Sequence, residues 1–264
     1  MANWFLVYDR IPRDGAGNMA IDEFLFNQCH QRKSGFLRLY TWNPPTFSYG
    51  VSQRIDRILD LAFLEKNGCG HVRRPSGGKT VLHDDELTYA VISSEDIFFR
   101  DHDLYRSYLL ISRVLVKALA ALGLDARLSS GSSAELSRSD NPCFSFPTAN
   151  EIEVNGKKIV GSAQKRDRTA LLQHGSIPIR MDYDLYAGGT RSRADILRRQ
   201  MAPLTEVAGL EPEQLAGALI AAFEEFVGCR LEEFSFGPGE LEAIARLRRK
   251  YLSADWNDFP QQGG

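Results

Sequence analysis

The residues best equipped for chemistry lie in three short runs and at one cysteine. The run Arg73-Arg74-Pro75-Ser76-Gly77-Gly78-Lys79-Thr80-Val81-Leu82-His83-Asp84 sets adjacent glycines between cations. Such glycines let the backbone turn tightly and offer N–H groups to a carboxylate, a phosphate or a developing oxyanion. Arg74 and Lys79 add positive charge beside them. Neither the Walker nor the Rossmann glycine spacing is present. The ordinary alternative is a Gly-Gly hairpin turn with solvated charges, and His83 is equally open to a structural role. In Gly156-Lys157-Lys158-Ile159-Val160-Gly161-Ser162-Ala163-Gln164 the preceding Asn155 completes an Asn-Gly pair suited to a type I′ turn. That turn pairs Glu153 with Lys158, a surface ion pair worth ~0.2–1 kcal/mol. Strand alternation, however, puts Lys158, Val160 and Ser162 on one face. If that face is the inner one, Lys158 enters a pocket in which Gly161, Ser162 and Ala163 leave room for a ligand. Gln173-His174-Gly175-Ser176 adds a second histidine, with a glycine that permits close approach. Cys143, beside Phe144 and Phe146, has the surroundings of an inert buried thiol. It also follows a polar run, in a chain whose cations could hold a thiolate against its ordinary pKa of ~8.5.

These groups need a scaffold, and the chain is long enough to build one. With 264 residues and 43% hydrophobic content it can bury a large core, which excludes a disordered or disulfide-stapled chain. Lys+Arg 32 against Asp+Glu 34 leaves a net charge of −2, which argues against a nucleic-acid binder. The opening residues resemble neither a signal peptide nor a membrane span, so a cytoplasmic protein with no membrane partner is expected. Cys29, Cys69, Cys143 and Cys229 lack metal-site spacing, so free thiols and no metal are expected. Strands are expected at 4–9, 36–42, 70–75, 87–93 and 170–179, with a hairpin around Asn155-Gly156. Helices are expected from Gly17-Asn18 through Cys29, then at about 56–66, 103–122, 191–200, 211–227 and 238–251. The Ser-rich run 129–142 reads as a mobile loop. Interspersed strands followed by trailing helices predict one α+β domain over 1–264. Its core of about 1–180 would hold a largely antiparallel or mixed sheet, and about 181–252 would be helical.

RRPSGGKTVLHDDELTYAV, GKKIVGSAQKR and LLQHGSI, in that order, together with GNMAIDEFLF and LRLYTWNPPTFSYGVSQ, resemble the lipoate-protein ligase and octanoyltransferase superfamily. The resemblance implies a catalytic domain like that of biotin and lipoate-protein ligases. Cys143-Phe144 followed by Lys158 is similar to octanoyltransferases of the cysteine/lysine type. It implies that Cys143 carries the acyl group as a thioester while Lys158 lowers its pKa. Arg74, Ser76, Gly77, Gly78, Lys79, Thr80, Val81, His83, Gly161, Ser162, Ala163, His174 and Gly175 would then bind substrate. His83 or His174 would act as the base that an incoming lysine requires. The implied donor is octanoyl-acyl carrier protein. The implied acceptor is a lipoyl-domain protein such as glycine cleavage H protein or a 2-oxoacid dehydrogenase E2, and no cofactor is needed. A basic run of Lys157, Lys158, Lys165, Arg166 and Arg168 would suit such acidic partners. A monomer is expected. Lys79-Thr80 replaces the Gly-Ala common in ligases, and Thr148-Ala149-Asn150 a bulkier aromatic stretch; both bear on pocket size and acyl length. A regular hairpin would leave Cys143 roughly 33 Å from Lys158, so the chain must turn back, with Pro142 and Pro147 as the interruption. Two alternatives remain at this point: an ATP-dependent lipoate ligase forming an acyl-adenylate, and a non-catalytic lipoyl-domain or acyl-binding module.

Overall fold

The computed structural model describes residues 3–31, 33–95, 98, 104–129 and 151–258. Cys143, Pro142, Pro147, Thr148-Ala149-Asn150 and the expected loop from 130 onward lie outside the described residues. The architecture is α+β, as the resemblance implies. Strands β1 (Asn3–Tyr8), β2 (Ser34–Tyr40), β6 (Glu86–Ser93), β7 (Arg127–Leu128), β8 (Ile152–Val154), β9 (Lys157–Arg166), β10 (Leu171–Pro178) and β11 (Glu232–Glu233) form an eight-stranded sheet. Its order is β11-β1-β2-β6-β10-β9-β8-β7. β1 runs parallel to β11 and β2, and the other pairs are antiparallel.

Alternation along β6 sets the two faces. Leu87, Tyr89 and Val91 pack with Ile111, Leu115 and Leu119 of the Leu104–Ala121 helix and Leu215, Leu219 and Phe223 of the Pro212–Val227 helix. Ala90 and Ile92 pack with Met19, Phe24 and Leu25 of the Gly15–Gln31 helix and Ile244 and Tyr251 of the Pro238–Leu252 helix. Each fully buried Leu, Ile, Val, Phe or Met side chain among them contributes ~1.5–3 kcal/mol. Cys29 belongs to the second core, as its helical spacing suggested. The Gly15–Gln31 helix starts two residues before the expected Gly17, because Asp14 Oδ1 accepts the Gly17 N–H at 2.7 Å and caps the first turn.

Three strands build a second sheet, β4-β3-β5, two of which escaped the periodicity reading: β3 (Thr46–Tyr49), β4 (Gly70–Arg73) and β5 (Val81–His83). Only β4 was expected. Because β3 lies between β4 and β5, residues 74–80 are a crossover loop and not the Gly-Gly hairpin considered above. The expected helix at 56–66 is two short helices, Ile55–Ile58 and Leu61–Lys66, since Asp60 caps the second by accepting from the Phe63 N–H at 3.1 Å. The 191–200 helix is Ala194–Gln200, preceded by an unexpected helix Tyr183–Thr190 that ends at Arg191 with φ +52. Gly188 and Gly189 let that helix sit on the Phe63 and Phe47 rings: a Cβ there would meet them at 2.2 and 2.3 Å.

The hairpin has the expected turn and pairing, Val154 with Lys157 and Glu153 with Lys158. It then departs from simple alternation. Ile152 pairs with Val160, so two steps of β9 oppose one step of β8, and Ile159 is the extra residue of a bulge. Ile152 and Glu153 point to opposite faces, and so must their partners. Lys158 is therefore separated from Val160 and Ser162, against the expectation that all three share a face. It joins Gly161 and Ala163.

Candidate active site

β6, β9 and β10 present small and polar residues in register on the face toward the Gly15–Gln31 helix. Thr88 pairs with Ser176, Ser176 with Gly161, and His174 with Ala163. The second sheet brings Ser48, Val81 and His83 against them, leaving a narrow cleft. Arg74, Val81, His83, Gly161, Ser162, Ala163, His174 and Gly175 line it together with Met19, Tyr40, Trp42, Thr88 and Ser176. Three runs far apart in the chain thus converge on one cleft.

The remaining candidates, Ser76, Gly77, Gly78, Lys79 and Thr80, are not among the lining residues but belong to the loop between Arg74 and Val81, which are. Ser76 is buried, with its Oγ 2.6 Å from His174 Nε2. Arg74 braces the crossover loop: Nε and Nη2 donate to Gly77 O at 3.1 and 2.8 Å, and Nη2 to Lys79 O at 2.6 Å. Gly78, with φ +86, adopts a backbone conformation that side chains disfavour, and a Cβ there would press on Arg74 at 2.9 Å. Thr80 is buried, and its carbonyl accepts from the Tyr186 hydroxyl at 2.9 Å. Gly175 allows close approach, but of protein: a Cβ would lie 2.5 Å from Tyr89 Cε1 and 2.7 Å from Ser162 Oγ. Ser162 shares its hydroxyl with the Tyr89 hydroxyl at 2.7 Å. Arg73 is structural, held by Val51 O at 3.1 Å and Asn257 O at 3.0 Å.

Lys158 is not the solvated ion pair that cross-strand register suggests. It is 3% exposed, and its Nζ donates to Glu151 Oε1 at 2.5 Å rather than reaching Glu153. The bulge turns the ammonium to the cleft's face of the sheet, and Glu151, two residues from Glu153, is on that face as well. The supposed basic run does not form one patch. Lys158 is ion-paired, Lys165 lies over the Phe26 ring at 4.8 Å, and Arg166 donates to Phe98 O and Ser107 Oγ at 3.0 Å. Alternation along β9 separates Lys165 from Arg166.

Both histidines sit between a serine and a carboxylate. His174 Nδ1 is 3.0 Å from Asp22 Oδ2, and Asp22 also accepts from Arg38 Nη1 at 2.6 Å and the Tyr40 hydroxyl at 2.9 Å. Burial would raise the Asp22 carboxyl, but Arg38 and then His174 outweigh it and hold the group below its ordinary range. Burial pushes the His174 imidazole down; Asp22 opposes this, whereas Arg74 and His83 reinforce it. Neutral His174 thus donates Nδ1–H to Asp22 and accepts from Ser76 at Nε2. His83 Nδ1 is 2.8 Å from Glu86 Oε1, and its Nε2 is 2.7 Å from Ser48 Oγ.

Asp22, Arg38, Ser48, Glu86 and Glu151 were missed from sequence. Asp22 carried a signal, a carboxylate three residues after Met19 on an otherwise apolar helix face. Glu86 carried another, since it shares a strand face with Thr88, Ala90 and Ile92. Ser48 carried only the alternation of Thr46-Phe47-Ser48-Tyr49, which is too short to separate from a loop.

Solved structures share this arrangement of chain. Lipoate-protein ligase A bound with ATP superposes with TM-score 0.82 at 24% identity, over 98% of this chain and 99% of that one. Ta0514, a lipoate protein ligase homologue of T. acidophilum with bound lipoic acid, does so at 0.81, with the same identity and coverage. The fold is therefore that of the lipoate-protein ligase catalytic domain. Residues 14–224 match the family model of the lipoyl protein ligase A/B catalytic domain. Octanoyltransferase LipM of Kyrpidia tusciae is 37% identical, and that of Halalkalibacterium halodurans 32%, each over 97% of this chain and 99% of the relative. The chain belongs to the lipoyl protein ligase A/B catalytic domain family, and its full-length relatives make it an acyltransferase.

Proposed function

We propose that this protein is an octanoyltransferase. It would move an octanoyl group from acyl carrier protein, through a thioester on Cys143, to a lysine of a lipoyl domain, such as that of glycine cleavage H protein or a 2-oxoacid dehydrogenase E2. The observation that carries the reading is full-length similarity to octanoyltransferases, in a chain that buries Lys158 on the same sheet face as the cleft. The Cys143 thiolate attacks the donor thioester, and the tetrahedral intermediate expels the carrier thiolate. The lysine amine then attacks the acyl-enzyme, a C–N bond forms, and the C–S bond to Cys143 breaks. Thioester exchange is nearly even in energy and amide formation is downhill, so no cofactor is required. Lys158 stabilises the thiolate by charge. Amides of the Gly77-Gly78 loop stabilise the oxyanion. The small residues Gly161 and Ala163 leave room for the alkyl chain, at about 0.8 kcal/mol per buried methylene. Residues 1–264 would act as one catalytic domain, monomeric and cytoplasmic.

The test is transfer from octanoyl carrier to a lipoyl domain without ATP, followed by intact mass. The reading expects an octanoyl adduct on the enzyme, its passage to the acceptor, and loss of both in Cys143→Ala. Strict ATP dependence with AMP release would replace it with a ligase. Binding without any adduct would replace it with a non-catalytic module.

A further inference from the structure

We propose that Ser48, His83 and Glu86 form a directional relay that takes the proton of the acceptor lysine. The proposal rests on the acyl-transfer reading above and assigns its base. Three strands supply the groups: Ser48 from β3, His83 from β5 and Glu86 from β6. The carboxylate end dictates the direction of the chain, and the guanidinium end is compatible with it. Arg74 Nη1 donates to Ser48 Oγ across 3.2 Å, and a guanidinium can only donate. That bond uses one of the two Ser48 lone pairs and leaves its hydroxyl proton free to be donated. The Glu86 carboxylate can only accept, so the His83 ring proton sits on Nδ1. With the ring acting as a base, Nε2 is then the bare acceptor to which Ser48 donates. Ser48 keeps one lone pair, and both Ser48 and His83 line the cleft. Trp42 stacks on the imidazole with ring centres 4.0 Å apart and planes 12° from parallel, which holds the ring in the line of transfer.

The two histidines differ in what balances their protonation. Asp22, behind His174, is already neutralised by Arg38, whose Nη1 is 2.6 Å away. Glu86 instead accepts hydroxyl bonds from Thr88 and Ser176, and among the described residues no guanidinium or ammonium is bonded to it. A positive charge arising on His83 therefore meets a carboxylate not already balanced. Arg74, acting through Ser48, and His174 from β10 are the cationic or titratable groups that face His83 on its other sides. Ser76, the partner of His174, is not part of the cleft wall.

In the transfer step the acceptor ammonium gives one proton to Ser48 Oγ while Ser48 passes its own to Nε2. The neutral amine attacks the acyl carbonyl, and its second proton leaves with the expelled Cys143 sulfur. The imidazolium then returns its proton to solvent. Glu86 is a positioning residue in this scheme, because it fixes the ring's tautomer without touching substrate.

The experiment isolates the octanoyl-enzyme of the wild type, Ser48→Ala and Glu86→Gln, and follows its discharge in single turnovers. With a lipoyl-domain lysine at pH 7 both variants should be slowed about 10²-fold. The deficit should shrink as the pH climbs toward ~10.4, where the amine is neutral without help. Hydroxylamine, which is neutral at pH 7, should discharge all three enzymes equally. An equal deficit with hydroxylamine would reduce these residues to scaffolding and overturn the proposal. Undiminished lysine transfer would overturn it too, as would the same pH signature in Ser76→Ala but not in Ser48→Ala. Failure of the wild type to form an octanoyl-enzyme would instead remove the acyl-transfer reading itself.

Discussion

Asp22→Ala should unfold this protein far more readily than the loss of one exposed carboxylate would. Asp22 and Arg38 are both fully buried, 2.6 Å apart at their closest hydrogen-bonded atoms. The truncation also removes the acceptor of the Tyr40 hydroxyl at 2.9 Å and of His174 Nδ1 at 3.0 Å. Arg38 would retain Asp9 Oδ2 at 2.9 Å and Asn18 Oδ1 at 2.8 Å, but would lose the carboxylate that shares its burial. Breaking such a pair from one side costs about 3–5 kcal/mol. At ~2–4 °C per kcal/mol for a chain of this size, the midpoint should fall by roughly 6–20 °C. Urea denaturation followed by tryptophan fluorescence measures the loss. The pH dependence supplies a second reading. The folded Asp22 carboxyl is held below its ordinary range, so its contribution is fully present above the unfolded value of ~3.9 and is lost as the pH falls through the lower folded value. Asp22→Asn, which keeps the shape without the charge, should therefore lose less stability than the wild type on acidification below about pH 4. A cost under about 1 kcal/mol for Asp22→Ala, with an unchanged acid limb, would show that Asp9 and Asn18 satisfy Arg38 alone and would refute the reasoning.

Two further outcomes follow from buried groups. Lys158→Met strands the Glu151 carboxylate, whose Oε2 already has no hydrogen-bond partner among the described residues, and should cost about 3–5 kcal/mol as well as transfer activity. The double variant Lys158→Met/Glu151→Leu should recover stability to within about 1 kcal/mol of wild type while remaining inactive, as measured by urea midpoints and octanoyl transfer. Burial pushes the Cys29 thiol up to about 12, so brief iodoacetamide treatment at pH 8 should leave it unmodified in the folded protein and alkylate it in urea. Peptide mapping that found Cys29 labelled as fast as the half-buried Cys229 would contradict its place in the core.

The sequence by itself determined the local pieces. Long periodic helices, the Asn-Gly turn and its first two strand pairs depend on interactions within a few residues, and the structure places them within two residues of expectation. Spaced motifs also marked most of the cleft wall, because Gly161, Ala163 and His174 stand in runs unusual enough to be noticed alone. Tertiary structure decided what those residues touch. Four-residue β3 and three-residue β5 are too short for their alternation to outweigh chance, so the second sheet and Ser48 stayed hidden. A single extra residue in β9 reversed the facing of Lys158, and only its pairing with β8 reveals that register shift. Glu151 rather than Glu153 took the ammonium because bond formation in a buried corner follows side-chain reach and direction, which register alone does not specify. The proposed choice of His83 over His174 likewise rests on whether a guanidinium already neutralises the carboxylate behind each ring, a contact between residues distant in the chain that folding alone creates.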